Sequence, residues 1–222
     1  MSVLVLIRHG QSQWNLENRF TGWTDVPLTE RGRADAALCG QHLTDLHFEK
    51  AFCARLERAI DTLKIILKEI HQEKISIVYD SGLNERHYGD LQGLNKAETA
   101  AKYGQEKVHL WRRSYTTRPP NGESLEDCGI RSLRFFQNYI LPKVESGKNI
   151  LVIASGNSFR PIMKYLGNLD DETAATMEVG LCTPYIYTFK GRDLVKHEVR
   201  EIPGIVTKGA SQTETKVEEG RV

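Results

Sequence analysis

An uninterrupted apolar run near the start of the chain, residues 3–7, constrains the fold more strongly than any other feature of the sequence. The run consists only of valine, leucine and isoleucine, which is the pattern of a strand buried on both faces. A second run, apolar after its first residue, covers residues 149–154. Strands of this kind occur mainly in parallel sheets that are covered by helices on both sides. The two runs therefore predict an α/β fold.

Weaker strand patterns and helix patterns alternate along the rest of the chain. The strand patterns lie near residues 51–52, 75–79 and 185–189, and the helix patterns cover about 29–46, 55–69, 125–144 and 158–166. This alternation predicts a mostly parallel sheet flanked by helices on both faces. Right-handed crossovers then bring the strand ends and their loops to one edge, where such folds bind ligands.

Two segments depart from this alternation. Residues 82–122 are rich in Glu, Arg, Tyr and Lys and contain no strong strand pattern. We interpret them as a helical insertion that forms a lid or wall over the site, within a single domain of residues 1–207. Residues 208–222 contain no aromatic side chain and alternate charge with Gly, Ser and Thr. Such a composition cannot bury enough surface to order itself, so it predicts a mobile tail.

Charge and cysteine content bear on several classes of protein. The net charge of +1 argues against a general nucleic-acid binder, which usually carries a strong basic excess. The run at residues 3–7 is too short for a signal peptide or a membrane span. Four cysteines lie far apart without a C-x-x-C pair, which predicts free thiols in a reducing compartment; they are Cys39, Cys53, Cys128 and Cys182. We therefore expect a cytoplasmic protein with neither a nucleic-acid nor a membrane partner.

The first apolar run leads directly into Arg8, His9 and Gly10. A histidine that leaves a buried strand can have its ring fixed by backbone contacts, with one nitrogen free for attack. Arg8 offers a planar, permanently charged donor fork that suits phosphate, and Gly10 would let the backbone approach the anion closely. Neutral donors could follow in the same loop: Asn15, Thr21 and Gly22. A histidine that merely ends a strand gives the same short motif, so its context must decide.

That context contains further motifs in a fixed order from about residue 3 to residue 190. After the motif around His9 come W-N, F-T-G-W, P-L-T-E-R-G, L-E-R-A, N-E-R-H-Y-G, L-Q-G-L-N-K, W-R-R-S-Y, P-N-G-E-S and A-S-G-N-S. The series resembles the histidine phosphatase superfamily, and more closely the cofactor-dependent phosphoglycerate mutases. R-H-G alone is shared by many phosphatases, whereas N-E-R-x-Y-G, W-R-R-S-Y and G-E-S together are typical of the mutase branch.

The resemblance implies a ping-pong reaction through a phosphohistidine at His9, without a metal. 2,3-Bisphosphoglycerate would prime the histidine, and the phosphoryl group would then move between the 2- and 3-hydroxyls of glycerate. Covalent catalysis of this kind divides one difficult transfer into two easier ones. The position of the family's general acid/base is Glu85. Family members are often dimeric or tetrameric, which by analogy suggests a homodimer or homotetramer.

The resemblance also assigns binding residues. Arg8, Asn15 and Arg58 match the residues that hold the transferring phosphoryl group, whose charge must be neutralised in the transition state. The residues matching those that bind the substrate's carboxylate and its other phosphate are Tyr88, Lys96, Arg112 and Arg113. Thr21, Gly22 and Asn157 complete the expected substrate-binding set.

The chain departs from the family at Ser155, where the A-H-G-N-S motif carries a second histidine. A serine retains one neutral donor but lacks the ring and the possible positive charge. One electrostatic donor at a developing charge is worth about 2.7–4 kcal/mol. A second departure is Leu181-Cys182, where the family often has T-G, and we expect both changes to touch one wall of the site. The site is then rewired, naturally feeble, or deliberately substituted at Ser155.

Three functions compete. The first is a phosphoglycerate mutase. The second is a phosphatase of the same superfamily, against which stand Glu85, Arg112, Arg113 and the G-E-S loop, because they would shape a closed site that excludes water. The third is a catalytically impaired relative that binds phosphorylated metabolites or a protein partner, and Ser155 is its only support.

Overall fold

A six-stranded mixed sheet forms the centre of the computed structural model, which describes residues 1–205. The strands are β1 (Ser2–Arg8), β2 (Lys50–Cys53), β3 (Ser76–Tyr79), β4 (Ile150–Ala154), β5 (Pro184–Lys190) and β6 (Asp193–Val199). They lie in the order β3-β2-β4-β1-β5-β6. The first four of these are joined by parallel pairing, whereas β5 and β6 are antiparallel to their neighbours. The predicted α/β fold with a mostly parallel sheet is confirmed.

The helices that connect the parallel strands divide between the two faces, because the crossovers run in opposite directions along the sheet. They are α1 (Gln13–Leu16), α2 (Glu30–Gln41), α3 (Glu57–Glu69), α4 (Lys96–Tyr103), α5 (Gln105–Arg113), α6 (Leu125–Phe135), α7 (Leu141–Glu145), α8 (Gly156–Gly167) and α9 (Asp171–Thr176). Helices α2 and α3 connect β1 to β2 and β2 to β3, whereas α6 and α7 lie on the return from β3 to β4. Right-handed crossovers therefore place the two groups on opposite faces.

The predicted helix at 125–144 is interrupted by a π-helical turn, Phe136–Ile140. Pro142, which follows it, has no N–H for the helical ladder, so the backbone changes its hydrogen-bond pattern there. The predicted helix at 29–46 also ends early, at Gln41. Strand β6 was not predicted, because its sequence D-L-V-K-H-E-V is largely exposed and charged. It forms as the partner of β5 in a hairpin that turns at Gly191, where φ is +62°.

The segment 82–122 contributes helices α4 and α5 and no strand of the sheet. A small second core joins this segment to the loop after β1; it consists of Leu91, Val108 and Trp111 of the segment together with Phe20. The main core surrounds β1 and β4, whose central residues are completely buried. Within residues 1–205 no helix has both the length and the apolar composition needed to cross a membrane. The tail expected at 208–222 lies outside the described residues.

Candidate active site

The carboxyl ends of β1 and β4 lie side by side at one edge of the sheet. These strands are parallel neighbours, with Arg8 in register with Ala154. Immediately after β1, the backbone N–H of His9 donates to Ala154 O at 3.0 Å. His9 and Ser155 therefore leave the sheet as neighbours, as expected for the ligand-binding edge of such a fold.

The ring of His9 is fixed as a neutral imidazole. Its Nδ1 lies 2.8 Å from Gly10 O, and because a carbonyl only accepts, Nδ1 carries the hydrogen. Its Nε2 accepts a 3.1 Å hydrogen bond from Arg58 Nε. Burial, followed by the charges of Arg58 and Arg8, holds the pKa of His9 well below its usual 6.5. Nε2 is thus unprotonated at neutral pH, and it can act as a nucleophile once Arg58 gives up this hydrogen bond.

Arg58 is a fully buried cation with neutral hydrogen-bond partners. Besides His9, it donates to the carbonyls of Gly22 and Thr24 at 2.9 and 3.1 Å. Burial lowers the pKa of Arg58 to about 10, against the opposing charges of Glu85 and Asp25. A buried charge is costly unless it is paired, so an anion bound at His9 would relieve that cost.

Gly10 has a packing role that was not expected from the sequence. Its N–H already donates to Thr62 Oγ1 at 3.0 Å. A Cβ at Gly10 would lie 2.4 Å from Gly32 O, a backbone atom of α2 that cannot move aside easily. The glycine therefore permits close packing of the loop on α2, in addition to the predicted approach of the backbone to an anion.

A polar pocket opens beside His9. Ten of the residues selected from the sequence line it: Arg8, Asn15, Thr21, Gly22, Glu85, Tyr88, Lys96, Arg112, Arg113 and Asn157. The other three, His9, Arg58 and Ser155, are buried and are not among its lining residues. Sequence reasoning missed six further lining residues: Arg19, Phe20, Gly156, Arg160, Glu178 and Val179.

Two neutral side chains of the pocket, Asn15 and Tyr88, use their oxygen atoms in hydrogen bonds within the protein and keep a donor for a ligand. Asn15 Oδ1 accepts from the backbone N–H and the hydroxyl of Ser12, which leaves its Nδ2 as a donor. The hydroxyl oxygen of Tyr88 accepts from Arg86 Nη2 at 3.0 Å and from Asn157 Nδ2 at 3.2 Å. Both bonds use the oxygen of Tyr88, so its hydrogen can be donated to a ligand.

The cations of the pocket favour an anionic ligand. Burial lowers the pKa of Lys96 to about 8, with smaller contributions from Arg112 and Arg8 and an opposing one from Tyr88. Arg113 forms an ion pair with Glu178. Burial, and to a smaller extent the neighbouring positive charges, destabilises the charged form of Lys96, and a bound phosphate or carboxylate would stabilise it.

Arg160 is the most informative of the missed residues. It lies inside α8, is 7% exposed, and donates to Asn157 Oδ1 at 2.8 Å and to Met177 O at 3.1 Å. Burial and the charge of Arg113 lower its pKa to about 10. The signal in the sequence is a single arginine in the apolar stretch 159–163, where a charge is rare unless it is paired or functional.

Two buried polar atoms near His9 have no hydrogen-bond partner among the described residues. They are Ser155 Oγ and Arg8 Nε. A Cβ at Gly156, the first residue of α8, would lie 3.5 Å from Arg8 Nε, so Arg8 packs against the amino end of that helix. Buried polar groups are rarely left unsatisfied, and helix amino ends favour anions. The arrangement therefore fits a phosphoryl group.

The two departures from the family lie on opposite sides of β1. Ser155 follows β4, whereas Leu181 forms a bridge with Arg8 on the β5 side. Cys182 is buried, has a φ of +46°, and donates its N–H to Arg8 O at 3.0 Å. The end of β1 lies between the two changes, and Ser155, Leu181 and Cys182 are not among the lining residues of the pocket.

Glu85 is buried at one side of the pocket. Its Oε1 accepts from the backbone N–H of Arg86 at 2.8 Å, which fixes the carboxylate relative to its own main chain.

All four cysteines are free, and all four are buried. No group of three or more His, Cys, Asp or Glu side chains within residues 1–205 is arranged to hold a metal ion.

Known proteins resemble this chain over most of its length. The sequence pattern of the histidine phosphatase superfamily (branch 1) matches residues 4–201. The 2,3-bisphosphoglycerate-dependent phosphoglycerate mutase 2 of Gloeobacter violaceus is 55% identical, covering 84% of this chain and 85% of that protein. A 2,3-bisphosphoglycerate-dependent phosphoglycerate mutase of Cytophaga hutchinsonii is 46% identical, covering 86% and 90%.

A solved structure of similar fold is that of Bacillus stearothermophilus YhfR, with a TM-score of 0.77 at 25% identity. It covers 94% of this chain and 97% of that one. The family expected from the motifs is therefore confirmed: the chain belongs to branch 1 of the histidine phosphatase superfamily.

Proposed function

We propose that the protein is a phosphoglycerate mutase that interconverts 2- and 3-phosphoglycerate through a phosphohistidine at His9, primed by 2,3-bisphosphoglycerate. The observation that carries the proposal is the neutral, buried imidazole of His9, whose Nε2 faces Arg58 beside a pocket rich in cations. The curated relatives named above carry the same activity in their names.

The pocket offers charge for two anionic groups on one small substrate. Arg58 contacts His9, and Arg8, Lys96, Arg112 and Arg113 line the pocket beside it. A phosphoglycerate presents a phosphate and a carboxylate, and these cations can neutralise both. Guanidinium groups bind both anions with a planar donor fork.

The residues at the His9 end would carry the transfer. His9 Nε2 attacks phosphorus, and the oxygen–phosphorus bond to the donor hydroxyl breaks. Arg58 Nε then loses its imidazole acceptor and turns to a phosphoryl oxygen, where Arg8 Nε and Ser155 Oγ also find an acceptor. Glu85 supplies the proton to the departing oxygen and removes it again from the incoming hydroxyl.

The direct test is an assay of the interconversion of the two phosphoglycerates, with and without added 2,3-bisphosphoglycerate. We expect turnover that depends on the bisphosphate and an acid-labile phosphate on the protein. His9→Ala should abolish both. Release of inorganic phosphate at a rate above interconversion would favour a phosphatase instead, and binding without turnover would favour the impaired relative.

The remaining features of the proposal are a cytoplasmic location, a homodimer or homotetramer, and a reaction without a metal. We also propose one domain over residues 1–207, with 82–122 as the wall of the site. Activity that survives a strong chelator would support the absence of a catalytic metal. Sedimentation analysis of the purified protein would establish the number of subunits.

A further inference from the structure

The backbone carbonyl of Glu85 is held by two side chains that are not among the lining residues of the pocket. It accepts a 2.6 Å hydrogen bond from Trp23 Nε1 and a 2.7 Å hydrogen bond from Arg131 Nη2. Since the carboxylate is tied to the main chain at Arg86, the position of that main chain sets the position of the carboxylate. Trp23 and Arg131 therefore control where Glu85 meets a ligand.

Arg131 clamps the chain on both sides of Glu85. Its Nη1 donates to three main-chain carbonyls between residues 81 and 84, at 2.8 to 3.3 Å. Its Nε and Nη2 form a fork on Glu123 at 2.9 and 2.8 Å, and Glu123 accepts from the backbone N–H of His87 at 2.8 Å. A planar fork with five donors is rigid, so the segment that carries Glu85 has little freedom to shift.

Trp23 connects this clamp to the nucleophile. The carbonyls on either side of it, Gly22 O and Thr24 O, are the acceptors of the two terminal nitrogens of Arg58, and Arg58 Nε contacts His9. The indole ring also lies under the guanidinium of Arg131, 5.4 Å from the ring centre. A continuous series of contacts thus runs from His9 to the carbonyl of Glu85.

We propose that Trp23 and Arg131 are positioning residues that hold Glu85 at a fixed place relative to His9. Arg131 fixes the segment that carries Glu85. Trp23 connects that segment to the loop whose carbonyls, Gly22 O and Thr24 O, accept hydrogen bonds from Arg58. The separation of nucleophile and proton-transfer group is then kept while Arg58 turns from the imidazole to the phosphoryl group. This inference rests on the proposed mutase function of the site.

The test compares Trp23→Phe, which removes the indole N–H and keeps an aromatic ring, with Arg131→Lys, which keeps the charge and removes the fork. Arg118→Lys is the matched control, because Arg118 forms a similar fork on Asp127 at the surface that does not involve Glu85. For each variant, kcat, KM and the ratio of rates in H₂O and D₂O are measured for 3-phosphoglycerate.

We expect kcat of both variants to fall by roughly 10- to 100-fold, since a misplacement of about 1 Å can cost about 10²-fold, with KM changed less than about twofold. The solvent isotope effect should rise, because proton transfer by a displaced Glu85 becomes slower. Arg118→Lys should match the starting protein. If Arg131→Lys does not fold, Trp23→Phe decides alone.

The inference is overturned if kcat is unchanged, or if it falls without a larger solvent isotope effect. A starting protein that forms no phosphohistidine and shows no interconversion overturns the proposed function as well, so the two failures are distinguishable.

Discussion

Arg58 Nε donates a hydrogen bond to His9 Nε2 across 3.1 Å. This contact requires the lone pair of Nε2, so it exists only while His9 is neutral. A proton on Nε2 would point at a permanent cation and would be buried as well. The arginine that we propose to hold the phosphoryl group therefore also keeps the nucleophile unprotonated before the reaction.

The first prediction concerns acid pH. The folded-state pKa of His9 lies well below 6.5, so His9 stays neutral as the pH falls past 6.5. We expect protonation of His9 to lower kcat/KM only at a pH well below 6.5. Replacing Arg58 with Gln removes a cation and should raise the pKa of His9 toward 6.5, as followed by NMR of the imidazole. Arg55→Gln, an exposed neighbour, is the control, and an equal rise there would contradict this account.

The second prediction concerns alkaline pH. Lys96 is charged below its pKa of about 8 and neutral above it, and only the charged form attracts a phosphate or carboxylate. We expect kcat/KM to decline as the pH rises through about 8. Lys96→Arg keeps its charge at higher pH and should abolish the decline. Lys102→Arg, an exposed position on the same helix, should leave the profile as it was; a decline that survives in Lys96→Arg belongs to another group.

The third prediction concerns stability. Because a Cβ at Gly10 would lie 2.4 Å from the backbone oxygen of Gly32, Gly10→Ala should lower the free energy of unfolding by at least about 1–3 kcal/mol, the usual cost of overpacking. Gly167→Ala is the control, since the three atoms nearest to its Cβ would belong to the side chain of Leu169, at 3.3 to 3.7 Å. Urea titrations measure both. Equal stability of the two variants would mean that the loop moves away from α2 at little cost.

The fold was predictable because the buried strands are continuous apolar runs. Most of the residues that the family motifs mark line one pocket, as their order along the chain led us to expect. Trp23 and Arg131 were not assigned a role, because both donate to a backbone carbonyl. Every residue has such a carbonyl, so the contact cannot be recognised from the residue types. The packing role of Gly10 was missed for a similar reason. Gly10 contacts the backbone of α2 at Gly32, which lies more than twenty residues further along the chain. The structure therefore shows contacts that the sequence does not reveal, namely those between a residue and main-chain atoms distant along the chain.

The fourth prediction concerns Ser155. Its Oγ is buried without a partner beside the strand end that carries His9, so it can donate to the transferring phosphoryl group. We expect Ser155→Ala to lower kcat by up to about 10²–10³-fold, the range for one well-placed donor. Ser155→His introduces a donor that can be charged, and it should raise kcat by no more than that factor. If the ring does not fit, overpacking should lower the free energy of unfolding by about 1–3 kcal/mol and make the gain in kcat smaller. Steady-state rates and phosphohistidine formation are measured for both.

The position of Ser155 also predicts how it combines with the second departure. Ser155 and Leu181 lie on opposite sides of β1, so their backbones are separated by two strand spacings, about 10 Å. Changes at that distance are usually additive within about 0.5 kcal/mol. We therefore expect Ser155→His to change kcat by the same factor alone and together with Leu181→Thr and Cys182→Gly. A gain that appears only in the combined variant would show that the two sites are coupled through Arg8, whose carbonyl accepts from Cys182 and whose side chain packs on Gly156.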